Sequence, residues 1–167
     1  FEPENGMQGD DAKSISWTNL GWGYWWQYTT IPGVSSYKWL QPYHLSHVCN
    51  RWMHDRTNDL QYAFFNGEGY ESWENIWSIW NQATPRDAEA IRRIGMIYRS
   101  FGDLMFGDWE PHTPTIQEGI YASKFSKPNL SIFNIINRTA DEIGGPQLHI
   151  PFKPKQRYFD LWRGIEI

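Results

Sequence analysis

LQYAFFNGEGYESWENIWSIW, Leu60 to Trp80, is the stretch whose reading decides the fold. It opens with an apolar run, Leu60 to Phe65, that stops at Asn66-Gly67-Glu68-Gly69. Three carboxylates follow, Glu68, Glu71 and Glu74, interleaved with Tyr70, Trp73 and Trp77. An apolar run of this length between turn residues predicts a strand buried on both faces. Gly67 and Gly69 reach backbone angles closed to other residues. Carboxylates and rings leaving the end of a buried strand are what a carbohydrate-processing cleft requires. The competing reading is a Trp-rich core with solvated glutamates.

The whole chain supports a globular reading. Of its 167 residues 40% are apolar and 20% charged, which excludes a disordered chain. Aromatic residues make up 17%, including 11 Trp, and such a load supplies large rigid faces for a core or for flat ligands. A net charge of −4 argues against a phosphate-binding surface, so nucleic acid is not an expected partner. No apolar run is long enough to span a bilayer. Cys49 is the single cysteine, so no internal disulfide forms. Two glycosylation sequons, Asn129-Leu130-Ser131 and Asn137-Arg138-Thr139, lean toward an extracellular or secretory-pathway protein.

Taken from its start, the chain reads as alternating elements. Phe1 to Glu4 predicts the tail of a strand and Ser14 to Asn19 a short strand. Gly21 to Ser36 is a long loop rich in rings, among them Trp22, Tyr24, Trp25 and Trp26, and structureless loops of this length are usually functional. These rings read either as a sugar platform or as a plug on a core. Trp39 to Thr57 predicts a helix, because Leu45, Val48, Cys49 and Trp52 make one apolar stripe. His44 and His47 lie three apart, but no carboxylate motif accompanies them, so no metal site is expected. Neither is a cofactor.

Glu71 to Trp80 reads as a short helix with Glu71 and Glu74 on one side. Thr84-Pro85-Arg86-Asp87 is a helix start, with a cap residue, proline at the first helical position and an acid three residues after the cap. That helix extends through about Leu104, with Ile91, Ile94, Ile97, Tyr98 and Phe101 as its buried face. Strand–helix alternation of this kind implies a parallel sheet.

The pattern changes near residues 107–116, a Pro-punctuated linker that includes His112, expected as an inter-domain contact. Gly119 to Phe125, Leu130 to Asn137, Gln147 to Ile150 and Tyr158 to Ile167 read as strands of an antiparallel module. Residues 1–106 and 117–167 would then be two domains. A few parallel strands and two helices close no barrel and leave strand edges open. The expectation is therefore the C-terminal part of a larger (β/α) domain followed by an antiparallel β-sandwich module. The missing part would lie upstream or in another chain.

The segments FFNGEGYESWENIWSIWNQATPRDAEAIRRI, DWEPHTPT and YFDLWRGIEI resemble the C-terminal part of a family of large glycoside-hydrolase-like proteins. In that family a TIM-type barrel precedes a β-sandwich, and some bacterial members continue into a formylglycine-generating-enzyme-like (sulfatase-modifying-factor) domain. The resemblance covers about Ser16 to Ile167. It implies the C-terminal part of a (β/α)8 barrel, about strands 6–8, with Leu60 to Phe65 the eighth strand, and a site at the C-terminal ends of the strands.

On that arrangement Glu4 and Glu68 are the expected catalytic pair, with Glu71 in reserve. Glycoside hydrolysis needs two carboxyl groups, separated by roughly 5–5.5 Å or 6.5–9.5 Å according to the stereochemical outcome. Asp10, Trp22, Trp25, Trp26, Tyr70 and Trp73 would bind the substrate, a glycan. The alternative for each acid is a structural carboxylate. For the protein, the alternative is a non-catalytic carbohydrate-binding or structural component of an extracellular assembly.

Overall fold

The computed structural model describes residues 13, 17–23, 29–49, 54–71 and 83–167. Three short strands, β1 (Leu20–Gly23), β2 (Leu45–Cys49) and β3 (Gly69–Glu71), form a parallel sheet in that order. Trp22 pairs with His47, and His47 with Gly69. Helix α1 (Ser36–Leu40) precedes β2, and helix α2 (Thr57–Asn66) precedes β3. A parallel sheet is thus present, but none of its three strands is one of those from which the strand–helix alternation is read.

The expected barrel portion is not present. Among the described residues there is no closed barrel, and Leu60–Phe65, expected as its last strand, is the body of α2. Leu60, Tyr62, Ala63, Phe65 and Asn66 are all buried, because α2 is covered on more than one side. Tyr62 and Ala63 pack with Val48 and Tyr70 of the parallel sheet. Phe64 packs on the second core of Ile97, Leu104, Met105, Phe125 and Ile132. A helix buried all round loses its amphipathic stripe, so its sequence reads like a buried strand. Gly67 ends it in the left-handed conformation at φ 66°.

The expected helix over Trp39–Thr57 is also replaced. Helix α1 stops at Leu40, Pro42 and Tyr43 make a turn, and Leu45–Cys49 extends as β2. Two other expectations, the strand at Phe1–Glu4 and nearly all of the helix at Glu71–Trp80, fall outside the described residues. Glu71 itself belongs to β3. Of the Ser14–Asn19 strand only Trp17 to Asn19 is described, and the strand proper begins at Leu20.

Helix α3 (Pro85–Phe101) forms where its start signal lies: the Thr84 hydroxyl accepts from the Asp87 amide at 3.1 Å and Pro85 opens the helix. Ile97, Tyr98 and Phe101 face the core, whereas Ile91 is exposed. The Pro-punctuated stretch after it is a strand, β4 (Asp108–Thr113). It pairs with β5 (Ile120–Lys127), which pairs in turn with β6 (Leu130–Asn137), all antiparallel. Pro111 is tolerated because β4 is an edge strand whose register shifts between Glu110 and Thr113. Gln147–Ile150 forms no strand, and Tyr158–Ile167 is a hairpin of β7 (Phe159–Asp160) and β8 (Ile165–Glu166). The antiparallel part is thus one three-stranded sheet plus a hairpin, not a sandwich.

Polar bonds tie the two sheets together across α2. Asn134 of β6 donates to the Phe64 carbonyl at 2.6 Å. Arg138 donates to Asn58 and Gln61 at 2.7 and 2.8 Å, and also to the Thr29 carbonyl. The fully buried Asn66 accepts from the Ser35 amide and donates to Gly33 and Tyr62, which fastens the loop before α1. His112 packs between Phe65 of α2 and Tyr121 of β5.

Candidate functional site

Strand alternation sorts the side chains of the parallel sheet. Ser46, Val48 and Tyr70 point toward the helices, and His47 and Glu71 point to the opposite face. The contacts agree: Val48 and Tyr70 pack with α2, while the His47 Nε2 lies 2.5 Å from a Glu71 carboxylate oxygen. On the helix side, Gly21 has the Tyr37 ring so close that a Cβ there would overlap it at 2.3 Å.

Glu68 sits at the start of β3, not its end. It is 4% exposed, and its carboxylate accepts from the Ser46 hydroxyl at 2.8 Å. Burial pushes its pKa up, and the hydroxyls of Ser35 and Ser46 and the nearby Lys38 charge oppose that rise. Lys38 is buried as well. Its ammonium donates to the Met105 carbonyl at 2.7 Å and lies among the rings of Phe125, Trp109 and Phe106. Burial brings the Lys38 pKa down to about 8, with Glu68 resisting the fall. This is a buried polar cluster beneath α1 and α2.

Glu71 ends β3, beside the last residue of β2. Its side chain is 33% exposed, against 12% for His47. Burial lowers the His47 pKa and Glu71 raises it back in part. The imidazole nitrogen and the carboxylate are thus paired across β2 and β3. Ligands of open parallel sheets bind beyond the carboxyl ends of the strands. Among the described carboxylates of this sheet, Glu71 holds that position.

The structure therefore separates Glu68 from Glu71, placing them on opposite faces of the sheet. Tyr70 is on the helix side, where its hydroxyl accepts from Arg56 at 2.6 Å and its partly buried ring packs against the core of Val48, Tyr62 and Ala63. Glu4, Asp10, Trp25, Trp26 and Trp73 lie outside the described residues, as does the side chain of Trp22, whose backbone pairs with His47 in β1. The two sequons differ in setting. Asn129 is exposed in the β5–β6 turn at φ 68°, and Asn137 is held by Thr139 and Asp141. His47 escaped notice as a partner of Glu71, because only strand pairing brings residues 24 apart into contact.

Among the described residues no helix is long and apolar enough to cross a membrane. Comparison of the chain with protein-family models, with curated proteins and with solved structures finds no match.

Proposed function

We propose that the chain is part of a carbohydrate-active protein in which Glu71, oriented by His47, is a glycan-contacting carboxylate. The observation that carries this reading is the place of Glu71, half-exposed at the carboxyl end of a parallel strand and paired with the His47 imidazole. A carboxylate so held accepts hydrogen bonds from sugar hydroxyls or a proton from an attacking water. The 11 Trp and the resemblance to glycoside-hydrolase-like proteins supply the substrate class. Hydrolysis requires a second carboxyl group across the scissile bond, and Glu4 is the proposed partner. Glu68 is dropped from that role because it faces the helices.

A second reading is binding without turnover. It draws on the fact that the partner of Glu71 is a histidine, which fits a hydroxyl-binding carboxylate as well as a proton acceptor. Glu71→Gln in the full chain distinguishes them. Under the hydrolase reading, release of reducing ends from a glycan panel falls about 100-fold or more while binding persists. Under the binding reading the wild-type chain releases none and the variant loses affinity. Unchanged turnover and unchanged affinity in Glu71→Gln would remove this residue from the site and the proposal with it.

A further inference from the structure

On the helix side of the parallel sheet, a cleft of about 470 Å³ lies between α1 with its following turn and the β4–β5 edge. We infer that this cleft is a second binding site, for a short neutral oligosaccharide, separate from Glu71. The volume falls within the range of small-ligand sites, about 300–1,000 Å³. Trp39 and Tyr43 are 57% and 84% exposed, so two large ring faces stand open beside it. Trp39 is braced from behind by Trp109, with ring centroids 5.1 Å apart, and Trp109 stacks in turn on Phe125. Rings fixed in this way lose little freedom when they take a flat partner.

The polar lining selects the partner. Asp108 and Lys127 are exposed on the cleft, at the first residue of β4 and the last of β5. Among the described residues neither forms an ion pair, so each keeps its hydrogen-bonding capacity. Their charges cancel at the rim. The Lys38 ammonium is buried in the wall and donates to the Met105 carbonyl, so the positive charge it adds is not held out to a ligand. Ring faces next to one acceptor and one donor match a pyranose, whose axial C–H groups form an apolar face and whose hydroxyls ring its edge. The choice of a glycan over another neutral polyol rests on the reading of Glu71 above.

The test is titration of the full chain with cellotetraose, xylotetraose, mannotetraose and chitotetraose, followed by tryptophan fluorescence and calorimetry. The expected result is saturable binding of at least one, weakened about tenfold by Tyr43→Ala and by Asp108→Asn, with a binding component that persists in Glu71→Gln. Both altered residues are surface-exposed, so the fold survives them, and circular dichroism verifies it. Wild-type affinity in both variants overturns the cleft. Binding that is lost in Glu71→Gln but kept in Tyr43→Ala overturns the cleft alone and leaves the Glu71 site standing. Failure of the wild-type chain to bind any of the four overturns the cleft, whereas the Glu71 reading stands or falls on the turnover and affinity of Glu71→Gln.

Discussion

Glu68 lies just before β3 beneath α1 and α2, whereas Glu71 closes β3 on the sheet's other face. In a helix, positions three apart share a side. In extended backbone they point in opposite directions. The same spacing thus separates a buried structural carboxyl from a half-exposed one, and the local backbone decides which. The faces differ in kind too. The helix-covered face is closed by Val48, Tyr62, Ala63 and Tyr70 and holds its polar groups in mutual hydrogen bonds. Among the described residues the Glu71 face carries a carboxylate–imidazole pair, with Glu71 the more exposed partner.

If that contrast is correct, the two glutamates respond oppositely to substitution. Glu68→Ala should lower stability by about 3 kcal/mol in urea denaturation, since it empties buried volume and strips the Ser46 hydroxyl of its acceptor. Glu68→Gln, which refills the space, should lose clearly less. A loss below about 1 kcal/mol for the alanine variant would show that the cluster is open to water, and the contrast would fail.

Lys38 sharpens the same face through pH. The unfolded chain holds this proton up to 10.5, but the folded chain releases it at about 8. Between those values the unfolded state binds more protons, so stability rises with pH; below about 8 the burial penalty is present in full. The gain by about pH 9.5 is about 2 kcal/mol. Above pH 10, Tyr62 and Tyr98, whose pKa values burial raises, act in the opposite sense. Denaturation series from pH 7.5 to 9.5 should show the rise in the wild type and its absence in Lys38→Met.

Gly67 tests how α2 hands the chain to Glu68. Its φ is 66°, and an added Cβ would meet the Phe125 ring at 2.7 Å and the Met105 sulfur at 2.9 Å. Gly67→Ala should cost about 2 kcal/mol, from left-handed strain and from displacing that core. Wild-type thermal stability in this variant would mean that α2 and the antiparallel sheet are loosely joined. The smallest stability effect belongs to Glu71→Gln, within about 1 kcal/mol, because a half-exposed pair contributes little. Its effect should appear in glycan turnover or binding instead. A large stability loss would recast Glu71 as a second structural carboxyl.

Much of the antiparallel part was legible in the residues. Leu130–Asn137 alternates and forms β6 over that span, and Thr84-Pro85-Arg86-Asp87 starts α3. Caps and alternation act within a few residues, so the local sequence carries them. Other elements misled for definable reasons. Leu60–Phe65 has no periodicity because both sheets take a side of α2. Leu45, Val48, Cys49 and Trp52 imitate a helical stripe, although Ser46 and His47 alternate faces in a strand. Pro111 reads as a breaker only if β4 is assumed to be central, and β4 is an edge.

The sequence by itself determined a globular, ring-rich, mildly acidic chain with a helix starting at Pro85 and antiparallel strands after residue 107, but not which residues before that helix are strand and which are helix. It also named Glu68 and Glu71 as the carboxylates to watch. Only the tertiary structure decided that one is sealed beneath helices and the other faces outward beside His47. Facing depends on backbone parity and on what packs above each position, and both are set by contacts between segments far apart in the chain.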